Sequence, residues 1–179
     1  KSTEVLRLKR DWAIRTGDLA EYVRLAQAAP RSPSMDIALV LAARGDLPAA
    51  QAELSDTNTR RATLEQQPTN PGLWSELGGR EAVLGHRDEA LRCARKAVEL
   101  QPESLDASTG PRHSASLAFV YAWTGDKDRA IAEYARLLRI PYSGLNVHEM
   151  KRHPAYAPLR GDPRFEALLA DPKNNAPLF

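Results

Sequence analysis

A single cysteine, few aromatic rings and no long apolar run set the first limits on this 179-residue chain. Cys93 stands alone, which excludes an internal disulfide framework and any zinc cage built on several thiolates, and it fits a reducing, cytoplasmic setting. Nothing approaches the roughly 18 consecutive apolar residues of a membrane span, so no membrane insertion is expected. Aromatic residues make up 6% of the chain, few for the core of a sandwich or barrel. Neither sign of charge dominates: 25 Lys and Arg against 23 Asp and Glu leave a net +2. That balance lacks the basic stripe nucleic-acid binding requires, so no nucleic acid is expected as partner. The chain begins at Lys1 without an initiator Met and reads as a piece of a longer protein, with any leader or fused domain lying outside it.

What is there points to helices. Ala, Leu, Arg and Glu, all strong helix formers, dominate the composition, and 42% apolar residues supply a core for one domain or one run of repeats. The expected fold class is all-α. A short motif then recurs: "RGDLPAA" at Gly45, "LGHRDEA" at Gly85 and "TGDKDRA" at Gly125, each with an alanine five residues after the glycine, and a weaker "TGDLAEY" at Gly17. The three main glycines stand 40 residues apart, the mark of a repeat whose unit stacks on its neighbours. Apolar residues of helical period flank each glycine, as in Ile37 and Leu41, Trp74 and Leu77, Leu117 and Tyr121 before it, and Ala90, Ala94 and Ala97 or Ala130, Tyr134 and Leu138 after it. The motif therefore reads as the turn of a helix pair. The glycine ends one helix in the left-handed region, and the following Asp caps the next.

Trp74, Leu77, Gly78, Ala90 and Pro102 resemble the tetratricopeptide repeat pattern, with Glu81 at the slot usually held by Tyr and Ala94 at that of Phe. Leu117, Ala118, Tyr121, Gly125, Ala130, Tyr134 and Pro141 match it again, with Ser114 at the Trp slot. The resemblance implies a helical-hairpin solenoid forming a single domain over 1–179: a degenerate pair at 1–30, repeats at 31–68, 71–102 and 111–141, and a capping tail at 142–179. The 40-residue period exceeds the family's 34. The surplus falls in "SDTNTRRATLEQQPTN", read as a lengthened second helix, and in "ESLDASTGPRHS", read as a loop. The tail resembles the endings of tetratricopeptide regions in bacterial multidomain signalling proteins, where such arrays follow a kinase, cyclase or winged-helix module. Within it, Asp162-Pro163 is a helix start, with Phe165, Leu168 and Leu169 on one side of a helix to about Ala170 that should seal the last repeat.

No catalytic constellation, metal site or cofactor motif emerges. His148 and His153 are five apart, off the i, i+4 face of a zinc motif, and Cys93 has no base in sequence reach. Both "RGD" glycines have turn duties, and Gly78-Gly79 lies inside a helix rather than in a phosphate loop. What remains is a surface. In the family, first helices line a concave groove, which implies a wall of Met35, Leu39, Ala43, Ser75, Gly79, Val83, Ala115, Phe119 and Trp123. None of these is the Lys, Arg or Asn of clamps for acidic peptide tails. The expected function is a non-enzymatic protein-interaction scaffold binding a protein or peptide through an apolar or amphipathic helical segment. The alternative is a small-ligand or partner sensor regulating a fused kinase, cyclase or transcriptional domain. Whether the stripe is open, or covered by the chain's own tail, is left open at this level.

Overall fold

The computed structural model describes residues 3–27, 35–141 and 143–174. The junction expected at residues 30 and 31 lies outside them. Helices account for the architecture, and no strand occurs among the described residues. In chain order they are α1 (Thr3–Thr16), α2 (Leu19–Gln27), α3 (Met35–Ala43), α4 (Leu47–Glu53), α5 (Thr57–Gln66), α6 (Pro71–Val83), α7 (Arg87–Leu100), α8 (Gly110–Trp123), α9 (Lys127–Leu137), α10 (Val147–Met150) and α11 (Pro163–Ala170), with 3-10 helices at Pro154–Leu159 and Pro172–Asn174. Successive helices pair as α1 with α2, α3 with α4, α6 with α7 and α8 with α9.

The turn chemistry between these pairs is local. Gly125 has φ +87°, a region that residues with a Cβ rarely adopt, and its N–H reaches the Ala122 carbonyl while Asp126 N–H reaches back to that of Tyr121 at 2.8 Å. The Asp126 carboxylate then accepts the Arg129 N–H and opens α9. Gly17, Gly45 and Gly85 repeat the backbone pattern, and Asp18 and Asp46 repeat the cap. His86 makes no side-chain cap; its ring turns instead to Glu81, with Nδ1 2.7 Å from the carboxylate.

Glu81, the departure at the Tyr slot, is 1% exposed and Arg80 beside it 2%. Such burial is tolerated only with partners. The partners come from α5. Arg61 donates to Glu81 at 2.5 Å, while Arg80 donates to Asp56 at the mouth of α5, a carboxylate also held by Arg60. Burial would raise the Asp56 carboxyl, but hydrogen bonds from Arg60 and Arg80 outweigh it and hold the group below the usual carboxylate range. The stretch 55–70 therefore does not lengthen the second helix, as its composition suggests. α4 stops at Glu53, the Thr57 hydroxyl closes a turn on the Leu54 carbonyl at 2.6 Å, and α5 starts afresh to bring Arg61 over α6.

The second surplus is shorter than "ESLDASTGPRHS" implies. The Asp106 carboxylate accepts the N–H groups of Ser108 and Thr109, both at 2.9 Å, which ends the loop and lets α8 begin at Gly110-Pro111. Pro needs no N–H partner in a first turn. After α9 the chain folds back over the last hairpin. Val147, Met150, Tyr156, Leu159, Phe165 and Leu169 are buried with Ala130, Ile131 and Tyr134 of α9, and Leu168 is half-buried at the edge of that cluster.

Two neighbouring glycines of α6 have opposite surroundings. A Cβ on Gly78 would lie 3.0 Å from the Ala94 nitrogen and 3.1 Å from the Ala90 carbonyl, against the α7 backbone; on Gly79 it would meet only the tips of Met35 and Phe119, both at 3.6 Å. Gly78→Ala is expected to destabilise by about 1–3 kcal/mol through overpacking, and Gly79→Ala to stabilise by about 0.5–1 kcal/mol through helix propensity. Urea melts check this; a shared sign contradicts it. Arg61→Ala should cost about 1–3 kcal/mol by leaving the buried carboxylate short of a donor. Adding Glu81→Gln should restore most of that loss, and a double variant as unstable as the single one would contradict the assignment.

Candidate functional site

The first helices of the last three pairs lie side by side, α3 on α6 and α6 on α8, and the 3-10 turn at 154–159 crosses α3 and α8. The space left between them is a cavity of about 310 Å³. Met35, Leu39, Ser75, Gly79, Ala115 and Phe119, each expected on the concave wall, line it together. The other three expected wall residues do not. Val83 is buried among Ala38, Leu39, Ala50 and Leu54, and Ala43 is exposed at the end of α3. Trp123 is half-buried, its ring centroid 5.7 Å from that of Phe119, and its indole N–H donates to the Ala155 carbonyl at 2.9 Å. It fastens the tail across the wall, so the groove is closed at that end.

The tail and α9 add what the register of first helices leaves out: Leu145, Ala155, Tyr156 and Tyr134 complete the lining. Tyr134 and Tyr156 meet edge to face at 5.4 Å, and burial pushes both phenols above their ordinary pKa. The apolar walls thus include Met35, Leu39, Phe119 and two tyrosines, and Gly79 leaves the floor open because no side chain rises from it.

One side of the cavity is polar, and its hydrogen atoms are accounted for. Gln101 donates its amide N–H to Asp106 at 2.8 Å, which turns its carbonyl oxygen toward His113 Nε2 at 3.1 Å. An amide oxygen only accepts, so Nε2 carries the proton. In the neutral ring Nδ1 is then an acceptor, and the Ser75 hydroxyl, 2.8 Å away, donates to it. Burial first, then the positive charge of Arg112, hold His113 below the ordinary histidine pKa, with Asp106 acting the other way. Ser116 likewise gives its proton away from the cavity, to the Arg112 carbonyl at 3.0 Å. Glu76 completes the side, its carboxylate 3.4 Å from Arg80 and 3.5 Å from Arg60. Ser75, Ser116 and Glu76 therefore face the cavity as acceptors.

The Ser75–His113 contact joins residues 38 apart on α6 and α8 and has no signature in the sequence. It has the reach of a nucleophile and base, but the second ring nitrogen is oriented by a neutral amide, and the chain of bonds clamps the 101–109 loop to both helices. Outside the cavity, the Cys93 thiol is fully buried and pushed up to about 12 by that burial, then by the Glu89 charge. His153 caps the 3-10 turn by accepting the Ala155 N–H at 3.2 Å.

No protein-family model matches the chain, and comparison with curated proteins returns no match. No helix of the described residues is long and apolar enough to cross a membrane.

The lowered His113 pKa fixes the sign of a pH effect. The neutral ring's contribution to stability is full above the ordinary value of about 6.5 and is lost as pH falls from there toward the lower folded value. The urea midpoint should drop between about pH 8 and about pH 5.5, and drop less in His113→Gln, which has no proton to take up. Equal drops in the two proteins would contradict the clamp.

Proposed function

We propose that the chain is a non-enzymatic, tetratricopeptide-like helical-repeat module that binds a partner protein by taking an apolar anchor of an amphipathic segment into its concave wall. The observation that carries this reading is the convergence of Met35, Leu39, Gly79, Ala115 and Phe119, from three separate hairpins, on one apolar cavity. Pairwise packing of helices about recurrent glycine turns supports the repeat assignment. The closed end at Trp123 limits the occupant: a segment can present one or two large side chains, not lay a long helix along the whole wall. Recognition of this kind draws affinity from a few buried anchors and little from charge. A cytoplasmic setting accords with the lone, buried Cys93.

A second reading, a small-ligand sensor coupled to a fused output domain, draws on the cavity itself. Its volume sits at the low end of the ~300–1,000 Å³ of small-molecule sites.

Selection of a displayed peptide library on the immobilised protein tests the first reading. Amphipathic peptides with large apolar anchors should be enriched, and their binding should change less than about threefold between low and moderate salt, as expected when no surface charge pairs are used. Gly79→Leu, which plants a side chain between Met35 and Phe119, should remove them while the circular-dichroism spectrum is unchanged. Peptides that bind Gly79→Leu equally well, or that fall off with modest salt, would place recognition elsewhere.

A further inference from the structure

Resting on that reading, we propose that the anchor the cavity accepts is an indole, the side chain of a tryptophan in the partner segment. The argument is one of matching donors to acceptors. The polar side of the cavity offers acceptors whose own protons are already committed: Ser75 to His113 at 2.8 Å and Ser116 to the Arg112 carbonyl at 3.0 Å. An aliphatic side chain or a phenyl ring would strip water from these oxygens and give nothing back, a loss of the kind that makes buried unpaired acceptors costly. A phenol carries a donor but also brings acceptor lone pairs of its own.

An ammonium fares worse. The one carboxylate among the described lining residues, Glu76, is already shared between Arg80 and Arg60, so a second cation would be desolvated without a free counter-charge. Indole combines a flat apolar body with one N–H and no acceptor. Its faces suit walls of Phe119, Tyr134 and Tyr156, for which offset and edge-to-face contacts are favoured. The room for a bicyclic ring is the cavity of about 310 Å³ itself, to whose lining Gly79 adds no side chain. The molecule already uses this pairing nearby, where the Trp123 N–H meets the Ala155 carbonyl at 2.9 Å.

The test compares indole with benzothiophene, a ring pair of the same shape lacking the N–H, by calorimetric and ligand-observed NMR titration of the whole chain. Indole should bind about five- to tenfold more tightly, the scale of one hydrogen bond to a buried acceptor. Ser75→Ala should bring the two probes to within about twofold of each other, and Gly79→Leu should abolish both; each variant is checked for an unchanged helical spectrum. Ser116→Ala, read alongside, keeps the test usable if the Ser75 variant is unstable, because it removes an acceptor without touching the His113 clamp. Equal affinity for the two probes in the unmodified protein, or no binding of either, overturns the proposal. The peptide selection separates this inference from the one beneath it. Cavity-dependent peptides without tryptophan would overturn the indole anchor and leave the interaction reading standing. Indole binding with no cavity-dependent peptide would overturn the partner as the source and make the cavity a small-molecule site.

Discussion

The closeness of α6 to α7 is the constraint from which the rest of the molecule follows. Gly78 lets the two backbones meet, with Ala94 N only 3.0 Å from where a Cβ would stand. That seat fixes the rotation of α6 about its own axis and so sends Gly79 to the opposite side, toward Met35 and Phe119, and buries Arg80 and Glu81. Each consequence demands something further. The buried charges need cations and carboxylates, which α5 supplies through Arg61 and Asp56. The bare floor at Gly79 borders a void, which Ala155 and Tyr156 of the tail line rather than fill.

Seen this way, the departures from the expected repeat pattern belong together. Glu81 in place of a tyrosine, His86 in place of a capping aspartate and the extra helix α5 form one cluster, since His86 and Arg61 both reach the same carboxylate. A buried carboxylate with two donors is weak evidence for stability, because desolvation offsets much of the attraction. Its effect here is geometric. It ties α5 to α6.

How much of this was legible in the sequence varies with the range of the interaction. The turns at Gly45, Gly85 and Gly125 were readable because each glycine, with a capping aspartate after it at Gly45 and Gly125, answers to backbone bonds within five residues. The helix of the tail at Pro163–Ala170 was readable for the same reason, through Asp162 and Pro163. Six of the nine residues that the tetratricopeptide resemblance implied for a concave wall line the cavity. The break before α5 was not readable: "TRRATLEQ" is mostly helix formers, and the interruption depends on Thr57 closing a turn and on the Arg61–Glu81 and Arg80–Asp56 pairs with α6, whose members lie 20 and 24 residues apart. The role of Trp123 was obscured by the same locality. Its spacing from Phe119 is that of a groove residue, and only the return of the tail, 32 residues on, gives its N–H a partner. The acceptor side of the cavity, set by Ser75, His113 and Gln101, has no periodic trace at all.

The chain's two methionines make the central claim directly measurable. Met35 lines the cavity, whereas Met150 is fully buried in the cluster beneath the tail. With methionine methyl groups isotopically labelled, titration of a selected tryptophan-containing peptide followed by methyl NMR reads the two environments at once. The account predicts a large ring-current shift at Met35, saturating with the binding curve, and a Met150 signal that stays in place. A bound peptide that leaves Met35 unmoved, or shifts Met150 as much, would contradict it.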